Sequence, residues 1–571
     1  MASITRPASF AAAELLEEFL GDPADPHAPF VYAASAALDD VEAFPADACA
    51  VLDRYGLPGH YVPVCYGGTN TSYEEAVQLL RVVARRDLTV AIAHFKTYFG
   101  GASVWVGGTA DQARELGQVI SQGVPVSWGL TERSHGSDLL AGEMTAEPTA
   151  DGFTVSGEKW LVNNATRAGL ICTLVRTRDG GGARGYSLLL IDKRRLGDAE
   201  LTCLPKIPTI GIRGADISGF ALDGASVPRT ALVGAEGAGL EIVLKALQLT
   251  RTMCAGLSLG ASDHALRLCT EFVADRELYG RNLLQLPLAR QTLAECYADH
   301  LLGEAVTLMA ARAIHAATGE MSLWAAAVKY LVPTHTEAMI VRLRRLLGAR
   351  SQLIDYQYGR FEKVERDNAI VSMFDGNTLV NLHSLINQFP TLALAHRRGG
   401  PIDHEALATC ADLRRDLPEL DTAALSLMSR HGVGALRALP DAVAALAGAG
   451  PHLAAAAEQL DGATQAVFAE IAGHTPSRFP AADAYELARR FALCLAGAAC
   501  VQVWLHNQGA FAGTLWSNGT WLTAALSRVL TRLGVSAEVP TDALVETLVS
   551  QERTGRLLSL FDCRLAEAAR S

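Results

Sequence analysis

The 571-residue sequence lacks several patterns that would assign it to a familiar class of protein. Its 11 cysteines include no CxxC pair, and no histidine or cysteine pair has the spacing of a zinc site. Free thiols in a reducing compartment are therefore the preferred interpretation. Only 19% of the residues are charged and 50% are hydrophobic, which excludes an intrinsically disordered chain.

A basic charge balance and a long apolar run are also lacking. Lys and Arg number 49 against 61 Asp and Glu, a formal charge of −12, which argues against a nucleic-acid partner. The best membrane candidate, residues 491–505, contains Gln502 and is shorter than the roughly 20 apolar residues that span a bilayer. The first 20 residues carry acidic side chains early and lack the order of a signal peptide. We therefore expect a cytoplasmic protein without a membrane span.

Hydrophobic periodicity divides the chain into four segments. Residues 1–121 are predicted to be mostly helical, and residues 122–235 contain short β-rich runs with a hairpin signal at Asp151-Gly152. Long Ala/Leu-rich helical patterns fill 236–397, and a further helical block fills 398–571. The sequence thus predicts an α+β protein. It has an N-terminal helical domain, a central antiparallel β-domain, a C-terminal four-helix-bundle domain and an extra all-α domain.

Three motifs lie in order along these segments. They read WGLTERSHGSD at 128–138, GEKWLVNNATRAG at 157–169 and RDNAIVSMFDGNT at 366–378. Shorter supporting pieces are GIRGAD at 211–216, LTR at 249–251 and RELYGR at 276–281. Together they resemble the acyl-CoA dehydrogenase family of flavoproteins over about residues 70–397. The resemblance implies an FAD-dependent enzyme that removes the α-proton of an acyl thioester and transfers the β-hydride to flavin N5.

Asp375 is the candidate catalytic base. It is the only ionisable residue in the run AIVSMFDGNTLVNL at 369–382. From the residues alone, an aspartate that caps the helix predicted near Asn377 is the favoured alternative. The resemblance instead implies a base, although most family members have Glu at this position. Some relatives carry Glu at the position of Thr250, which cannot act as a base.

Other site residues follow from the resemblance alone. The FAD-binding residues that it implies are Leu130, Thr131, Gly136, Ser137, Trp160, Asn163, Arg276, Tyr279, Arg345 and Thr378. The substrate-binding residues that it implies are Ser137, Thr250 and Arg251. Trp160 is equally compatible with an ordinary β-core position. Pro287 and the segment 348–351 depart from the family pattern on the adenine side of FAD, where Arg345 and Arg350 offer charge instead.

Several alternatives stay open from the sequence. The acyl group is carried by CoA or by an acyl-carrier protein, for which Arg342, Arg344 and Arg345 form a candidate docking patch. The electron acceptor is an electron-transfer flavoprotein or O₂. A homodimer or homotetramer is expected from the family. An acyl-CoA oxidase, a flavin monooxygenase and a catalytically degenerate binding scaffold are the alternative functions.

Overall fold

The computed structural model describes residues 5–567, which form two compact units. The small unit contains residues 34–71 and 87–250. The large unit contains the described residues before 34, residues 72–86 and the described residues from 251 onward. The chain therefore passes from one unit to the other four times, after residues 33, 71, 86 and 250.

Six α-helices precede the sheet. They are α1 (Ala11–Leu20), α2 (Tyr32–Asp40), α3 (Ala46–Tyr55), α4 (Tyr73–Arg86), α5 (Leu88–Gly107) and α6 (Ala110–Ser121). Local signals define the starts of two of them. The Asp87 side chain accepts hydrogen bonds from the backbone N–H groups of Thr89 and Val90, and Thr109 forms a reciprocal capping box with Gln112. The helical N-terminal region is thus confirmed.

Seven strands of the small unit form one sheet. They are β1 (Val126–Gly129), β2 (Thr145–Pro148), β3 (Gly152–Asn163), β4 (Leu170–Arg176), β5 (Tyr186–Asp192), β6 (Leu201–Leu204) and β7 (Ile217–Pro228). Their order is β1-β4-β2-β3-β7-β6, with β5 paired to β4. The turn at Asp151-Gly152 joins β2 to β3 as an antiparallel hairpin, as predicted.

The prediction of an antiparallel β-domain is wrong at β4, which pairs in parallel with β1 and with β2. The chain reverses once within the β2–β3 hairpin and again between β3 and β4, so β4 runs in the direction of β1 and β2. Alternating apolar and polar residues mark a strand but not its direction. The buried face of the sheet is lined by Met144, Phe153, Val155, Val162, Ile171, Val175, Leu189 and Phe220.

Helices make up most of the chain after the sheet. Those before residue 399 are α7 (Gly239–Asp275), α8 (Pro287–Ala316), α9 (Met321–Leu347), α10 (Arg360–Asn368), α11 (Thr378–Ile386) and α12 (Phe389–Arg398). A two-residue hairpin, β8 (Glu277–Leu278) and β9 (Arg281–Asn282), separates α7 from α8. These elements agree with the predicted helical C-terminal region.

The C-terminal extension, residues 398–571, is mainly helical over its described part, with longer connections such as residues 412–433. Its helices are α13 (His404–Ala411), α14 (Gly434–Arg437), α15 (Leu439–Ala445), α16 (Pro451–Gly473), α17 (Ala482–Asn507), α18 (Thr514–Ser517), α19 (Thr520–Arg532) and α20 (Thr541–Arg553). Among the described residues, α17 alone is long and apolar enough to cross a membrane. Its apolar window is 89% buried, which is typical of a core helix.

Three charged residues of α8 fasten the C-terminal extension. Asp299 accepts hydrogen bonds from the guanidinium groups of Arg528 and Arg532 at 2.8–3.2 Å. Arg312 donates to Glu74 Oε2 at 2.6 Å and to backbone carbonyls between residues 409 and 415. Glu304 is contacted by residues of the extension and by α4. The extension is therefore docked by buried charge as well as by apolar packing.

Glu304 makes the most buried of these contacts. Its side chain is fully buried and lies 2.5 Å from Arg81 Nη1, which is 1% exposed. The same carboxylate accepts hydrogen bonds from Ser559 Oγ at 2.6 Å and from the Leu560 N–H at 2.7 Å. A buried ion pair of this kind adds little net stability, but loss of one partner leaves an uncompensated buried charge.

Glu304→Ala is expected to lower the free energy of unfolding by about 3–5 kcal/mol, because Arg81 loses its closest counter-charge. Urea unfolding followed by circular dichroism measures the change. Glu546→Ala is the matched control, since Glu546 is exposed on α20. An equal, small loss in both variants would show that the Arg81–Glu304 pair is not a structural anchor.

Glu320 forms a second junction with the extension. Its Oε1 accepts a hydrogen bond from the Gly434 N–H at 2.9 Å, and its Oε2 accepts one from Trp324 Nε1 at 3.1 Å. Burial raises the pKa of Glu320 from 4.5 to about 7. The folded protein therefore keeps the proton of Glu320 over a range of pH in which the unfolded chain has released it.

The contribution of Glu320 to stability is expected to fall as the pH rises from 4.5 to about 7, because deprotonation there favours the unfolded chain. Buried histidines with lowered pKa values, such as His300 and His315, act in the opposite direction over this range. In Glu320→Gln the first contribution is absent, so the melting temperature of the variant is expected to fall less, or rise more, with pH than that of the wild type. Thermal unfolding across this range compares the two slopes. Parallel slopes would assign the pH dependence to other groups.

Candidate active site

Asp375 lies in the turn between α10 and α11. Its φ is +53° and that of Gly376 is +90°, so two consecutive residues occupy left-handed backbone regions. Only glycine adopts such a conformation without steric cost, and at Asp375 the cost must be offset by surrounding contacts. The following helix is capped by Asn377, whose side chain accepts a hydrogen bond from the Val380 N–H at 2.9 Å. The alternative that Asp375 caps this helix is therefore wrong.

Arg251 on α7 fixes the backbone of the turn. Its Nε donates a hydrogen bond to the Asp375 carbonyl oxygen at 2.9 Å, and the side chain is buried. A Cβ atom added at Gly376 would lie 2.7 Å from Arg251 Nη2, so the guanidinium packs directly against this residue. Burial lowers the pKa of Arg251 to about 10, and the charge of Asp375 opposes the shift. The guanidinium thus remains cationic at neutral pH.

Two further buried donors hold the other side of the turn. Lys329 Nζ, on α9, donates to the Val371 carbonyl at 2.7 Å and to the Gly376 carbonyl at 3.3 Å. Asn381 Nδ2 also donates to the Gly376 carbonyl, at 2.8 Å. Both side chains are at most 1% exposed. Donors on three helices, α7, α9 and α11, therefore determine the position of the Asp375 main chain.

The Asp375 carboxylate has a thiol as a neighbour. Cys254 Sγ, one turn beyond Arg251 on α7, lies 4.0 Å from Asp375 Oδ2, and Cys254 is fully buried. A carboxylate bounded by a thiol and a buried guanidinium, with its main chain fixed, can accept a proton from a carbon acid placed against it.

The small unit contributes a second set of predicted residues at the end of β1. Thr131 Oγ1 donates to the Trp160 carbonyl at 2.7 Å, and the Trp160 N–H donates to the Thr131 carbonyl at 3.0 Å. Trp160 is half-buried, and the Arg133 guanidinium carbon lies 4.9 Å from the centre of its ring. Trp160 is thus beside the β1 end rather than within the sheet core.

An ion pair that the sequence analysis missed supports this region. Lys159 Nζ lies 2.7 Å from Glu132 Oε1, and both side chains are largely buried. Although burial raises it, the Lys159 ammonium and the N–H groups of Glu143 and Met144 hold the pKa of Glu132 below its usual value. Glu132 and Lys159 both lie in motifs of the sequence, but two charges 27 residues apart give no sign in a sequence that they pair.

Leu161 and Asn163 stand at an irregular part of β3. The pairing of β3 with β7 shifts register between Trp160 and Val162, and Leu161 has a φ of +57° and is 47% exposed. The amide Oδ1 and Nδ2 of Asn163 are both buried and have no hydrogen-bond partner within residues 5–567. Thr250 Oγ1, on α7, is also buried and has no hydrogen-bond partner among the described residues. A buried polar group without a hydrogen bond destabilises the folded protein, so these atoms are suited to bind a polar molecule.

The remaining predicted residues are more exposed. Gly136 and Ser137 lie in an exposed turn after β1, and Leu130 is half-buried with its carbonyl 3.4 Å from Lys159 Nζ. Tyr279 is 92% exposed at the tip of the β8–β9 hairpin, next to exposed Arg276. Arg345 is exposed near the end of α9, and Thr378 is the first residue of α11.

The candidate arginine patch is smaller than predicted. Arg342 forms an ion pair with Glu295, and Arg344 lies 2.7 Å from Glu365 Oε1, which leaves Arg345 as its exposed member. Arg350 is also engaged, because its guanidinium carbon lies 5.4 Å from the centre of the Phe272 ring. The sequence could not show these pairings, since each partner lies on another element.

Within each unit, then, the structure brings part of the predicted site together. Arg251 and Asp375 meet in the large unit, while Thr131 and Trp160 meet in the small unit. Lys329, Asn381 and Cys254 were missed. Lysine in an Ala/Leu-rich helix is usually solvated, and only its place on the helix face next to buried residues offered a signal.

Comparison with known families agrees with this arrangement. Residues 127–225 match the model of the acyl-CoA dehydrogenase middle domain, and residues 237–388 match that of the acyl-CoA dehydrogenase C-terminal domain. Residues 127–225 and 237–388 therefore match two acyl-CoA dehydrogenase domains, as the three motifs predicted. This family consists of oxidoreductases that act on CH–CH bonds.

Individual relatives are distant. A probable acyl-CoA dehydrogenase of Mycobacterium leprae (strain TN) is 22% identical over 347 residues, which are 61% of this chain and 88% of that protein. A mitochondrial isovaleryl-CoA dehydrogenase of Oryza sativa subsp. japonica is 24% identical over 50% of this chain and 68% of its own.

Solved structures share the fold. An acyl-CoA dehydrogenase of Bacillus anthracis, complexed with FAD, has a TM-score of 0.70 at 16% identity and covers 96% of this chain and 89% of its own. The prolyl acyl carrier protein oxidase AnaB has a TM-score of 0.59 at 19% identity and covers 66% of this chain and 97% of its own. The wider coverage of the first includes much of the C-terminal extension.

Gly376→Ala is expected to destabilise the protein more than Gly280→Ala. Both glycines have positive φ, but a Cβ at Gly280 meets open space, whereas one at Gly376 displaces Arg251. The backbone strain costs about 1–2 kcal/mol in each case, and displacement of a charged hydrogen bond adds about 1.5–3 kcal/mol at Gly376. Urea unfolding compares the variants, and equal losses would mean that Arg251 does not constrain the turn.

Proposed function

We propose that the protein catalyses the FAD-dependent α,β-dehydrogenation of an acyl thioester, with Asp375 as the base. The observation that carries this proposal is the turn at Asp375, whose main chain is held by buried donors from three helices. The match of residues 127–225 and 237–388 to acyl-CoA dehydrogenase domains supports the reaction class. The four domain boundaries and the four-helix-bundle form of residues 236–397 belong to the same proposal.

The chemistry demands two contributions from residue 375. Its carboxylate takes the α-proton, and its backbone N–H donates to the thioester oxygen, on which negative charge develops as the proton leaves. An α-carbon is a very weak acid, so both groups must be placed before the reaction begins. Arg251 and Lys329 supply that placement, because they hold the carbonyl groups of Asp375 and Gly376, in the two peptide units that follow the Asp375 N–H.

FAD, when bound, would accept the hydride from the β-carbon of the acyl group. In the small unit, Leu130, Thr131, Gly136, Ser137 and Trp160 would bind it, and Asn163 would donate a hydrogen bond to the flavin ring. The unpartnered amide of Asn163 fits that role. In the large unit, the FAD-binding residues of the proposal are Arg276, Tyr279, Arg345 and Thr378. The substrate-binding residues of the proposal are Ser137, Thr250 and Arg251.

The proposed reaction also needs a carrier for the acyl group and an acceptor for the electrons. We infer that CoA or an acyl-carrier protein carries the acyl group, because similar structures include a glutaryl-CoA complex and an acyl carrier protein oxidase. Electron-transfer flavoprotein or O₂ would reoxidise the flavin. A homo-oligomer and a cytoplasmic location remain expectations from the sequence.

Asp375→Asn is expected to lower the rate of flavin reduction by about 100-fold or more, because the amide cannot accept the α-proton. Anaerobic stopped-flow absorbance measures bleaching of the flavin bands by a mixture of acyl-CoA esters, and then by acyl groups on acyl-carrier protein. The absorbance before mixing reports flavin content, so loss of cofactor is distinguished from loss of the base.

Two comparisons make this experiment decisive. Asp375→Glu restores a carboxylate and is expected to retain measurable reduction, whereas Asp355→Asn changes an exposed carboxylate and should react as the wild type does. Equal rates in Asp375→Asn and the wild type would remove the assigned base. Wild-type protein that contains flavin but is bleached by neither carrier would contradict the proposed function.

A further inference from the structure

The small unit contains a cleft of about 590 Å³, and none of the residues proposed for catalysis or for FAD and substrate binding lines it. Its volume lies in the range of about 300–1,000 Å³ that is typical of small-molecule sites. Much of its wall is apolar and comes from Phe44, Pro58, Ile120, Val124 and Pro125. Polar side chains of α3, α5 and the loop after β3 also line it.

A chain of three side chains fixes an acidic group in this cleft. Tyr61 Oη and His94 Nδ1 share a short hydrogen bond, and His94 Nε2 lies 3.0 Å from Asp53 Oδ1. Tyr61 and His94 are buried, whereas the Asp53 side chain is 43% exposed. The buried pair therefore orients a carboxylate that remains accessible to solvent.

A basic group lines the same cleft. The Arg167 guanidinium carbon lies 3.7 Å from the centre of the Phe44 ring, and the Arg167 N–H donates to Asp216 Oδ2 at 3.3 Å. Stacking and the backbone contact hold Arg167 at the cleft, while its charge stays available. Among residues 5–567, no ion pair joins Arg167 to Asp53.

The charges of Asp53 and Arg167 both influence the thiol of Cys49, which lines the cleft. Burial and the charge of Asp53 raise the pKa of the Cys49 thiol to about 12, against the charge of Arg167, which lowers it. Both charges thus lie within electrostatic reach of one cleft-lining side chain. Opposite charges that do not pair with each other are suited to the two ends of a zwitterion.

We propose that this cleft binds a small zwitterion of the α-amino acid class with an apolar side chain. The carboxylate of the ligand faces Arg167, its ammonium group faces Asp53, and its side chain packs on the apolar wall. His94 and Tyr61 are positioning residues, because they act through Asp53. This site is independent of the reaction proposed for Asp375.

Isothermal titration calorimetry on the full-length, flavin-loaded protein tests the proposal with L-leucine and L-phenylalanine. Two fragments of leucine are the matched probes: 4-methylpentanoate keeps the carboxylate, and 3-methylbutylamine keeps the ammonium group. Saturable binding of at least one amino acid is expected. Each fragment is expected to bind about tenfold or more weakly than leucine, a loss of about 1.4 kcal/mol.

Variants identify the residues responsible. Asp53→Asn retains a hydrogen-bond acceptor for His94 and Arg167→Gln retains the backbone contact to Asp216, so both are expected to fold and to bind about tenfold more weakly. Asp47→Asn and Arg54→Gln, exposed on the same helix α3, are the controls and should bind as the wild type does. Absence of saturable amino acid binding, equal binding of the fragments, or equal effects of all four variants would overturn the proposal.

Discussion

The hydrogen bond from Arg251 Nε to the Asp375 carbonyl is the contact on which the candidate active site depends. Asp375 and Gly376 both have left-handed backbone conformations, which an isolated turn of this sequence would not maintain. Buried donors make that conformation the stable one, because each carbonyl would otherwise be removed from water without a partner. The strain at this turn is thus maintained by the rigid helices around it.

Buried charge serves the same purpose elsewhere in the large unit. Asp299, Glu304 and Arg312 lie along α8, and each binds a different part of the C-terminal extension. Such contacts contribute geometric precision more than net stability, since the cost of removing charges from water nearly cancels their attraction. A helix that carries three such groups can align a long extension in only one register. The extension is therefore an integral part of the large unit.

Much of this fold could be predicted from the sequence, and the exceptions share a physical cause. The helical pattern at 73–86 coincides with α4, and the turn at Asp151-Gly152 forms the predicted hairpin, because both signals are local. The parallel pairing of β1 with β4 and the contacts of Lys329 are long-range, so local patterns contained no information about them. Arg251 and Asp375 were found only because family motifs mark residues that meet in space.

The main chain and the side chain of residue 375 are constrained differently, and this bears on the substitution of Asp for the usual Glu. Arg251, Lys329 and Asn381 contact carbonyl groups and are indifferent to the length of the side chain at residue 375. The carbonyl groups of Asp375 and Gly376 keep these contacts whichever acid stands at residue 375. The shorter side chain changes only the reach of the carboxylate, by one methylene. In the proposed reaction, the substitution would therefore alter which acyl groups place their α-carbon within range, while the main-chain arrangement proposed to stabilise the developing oxyanion would be retained.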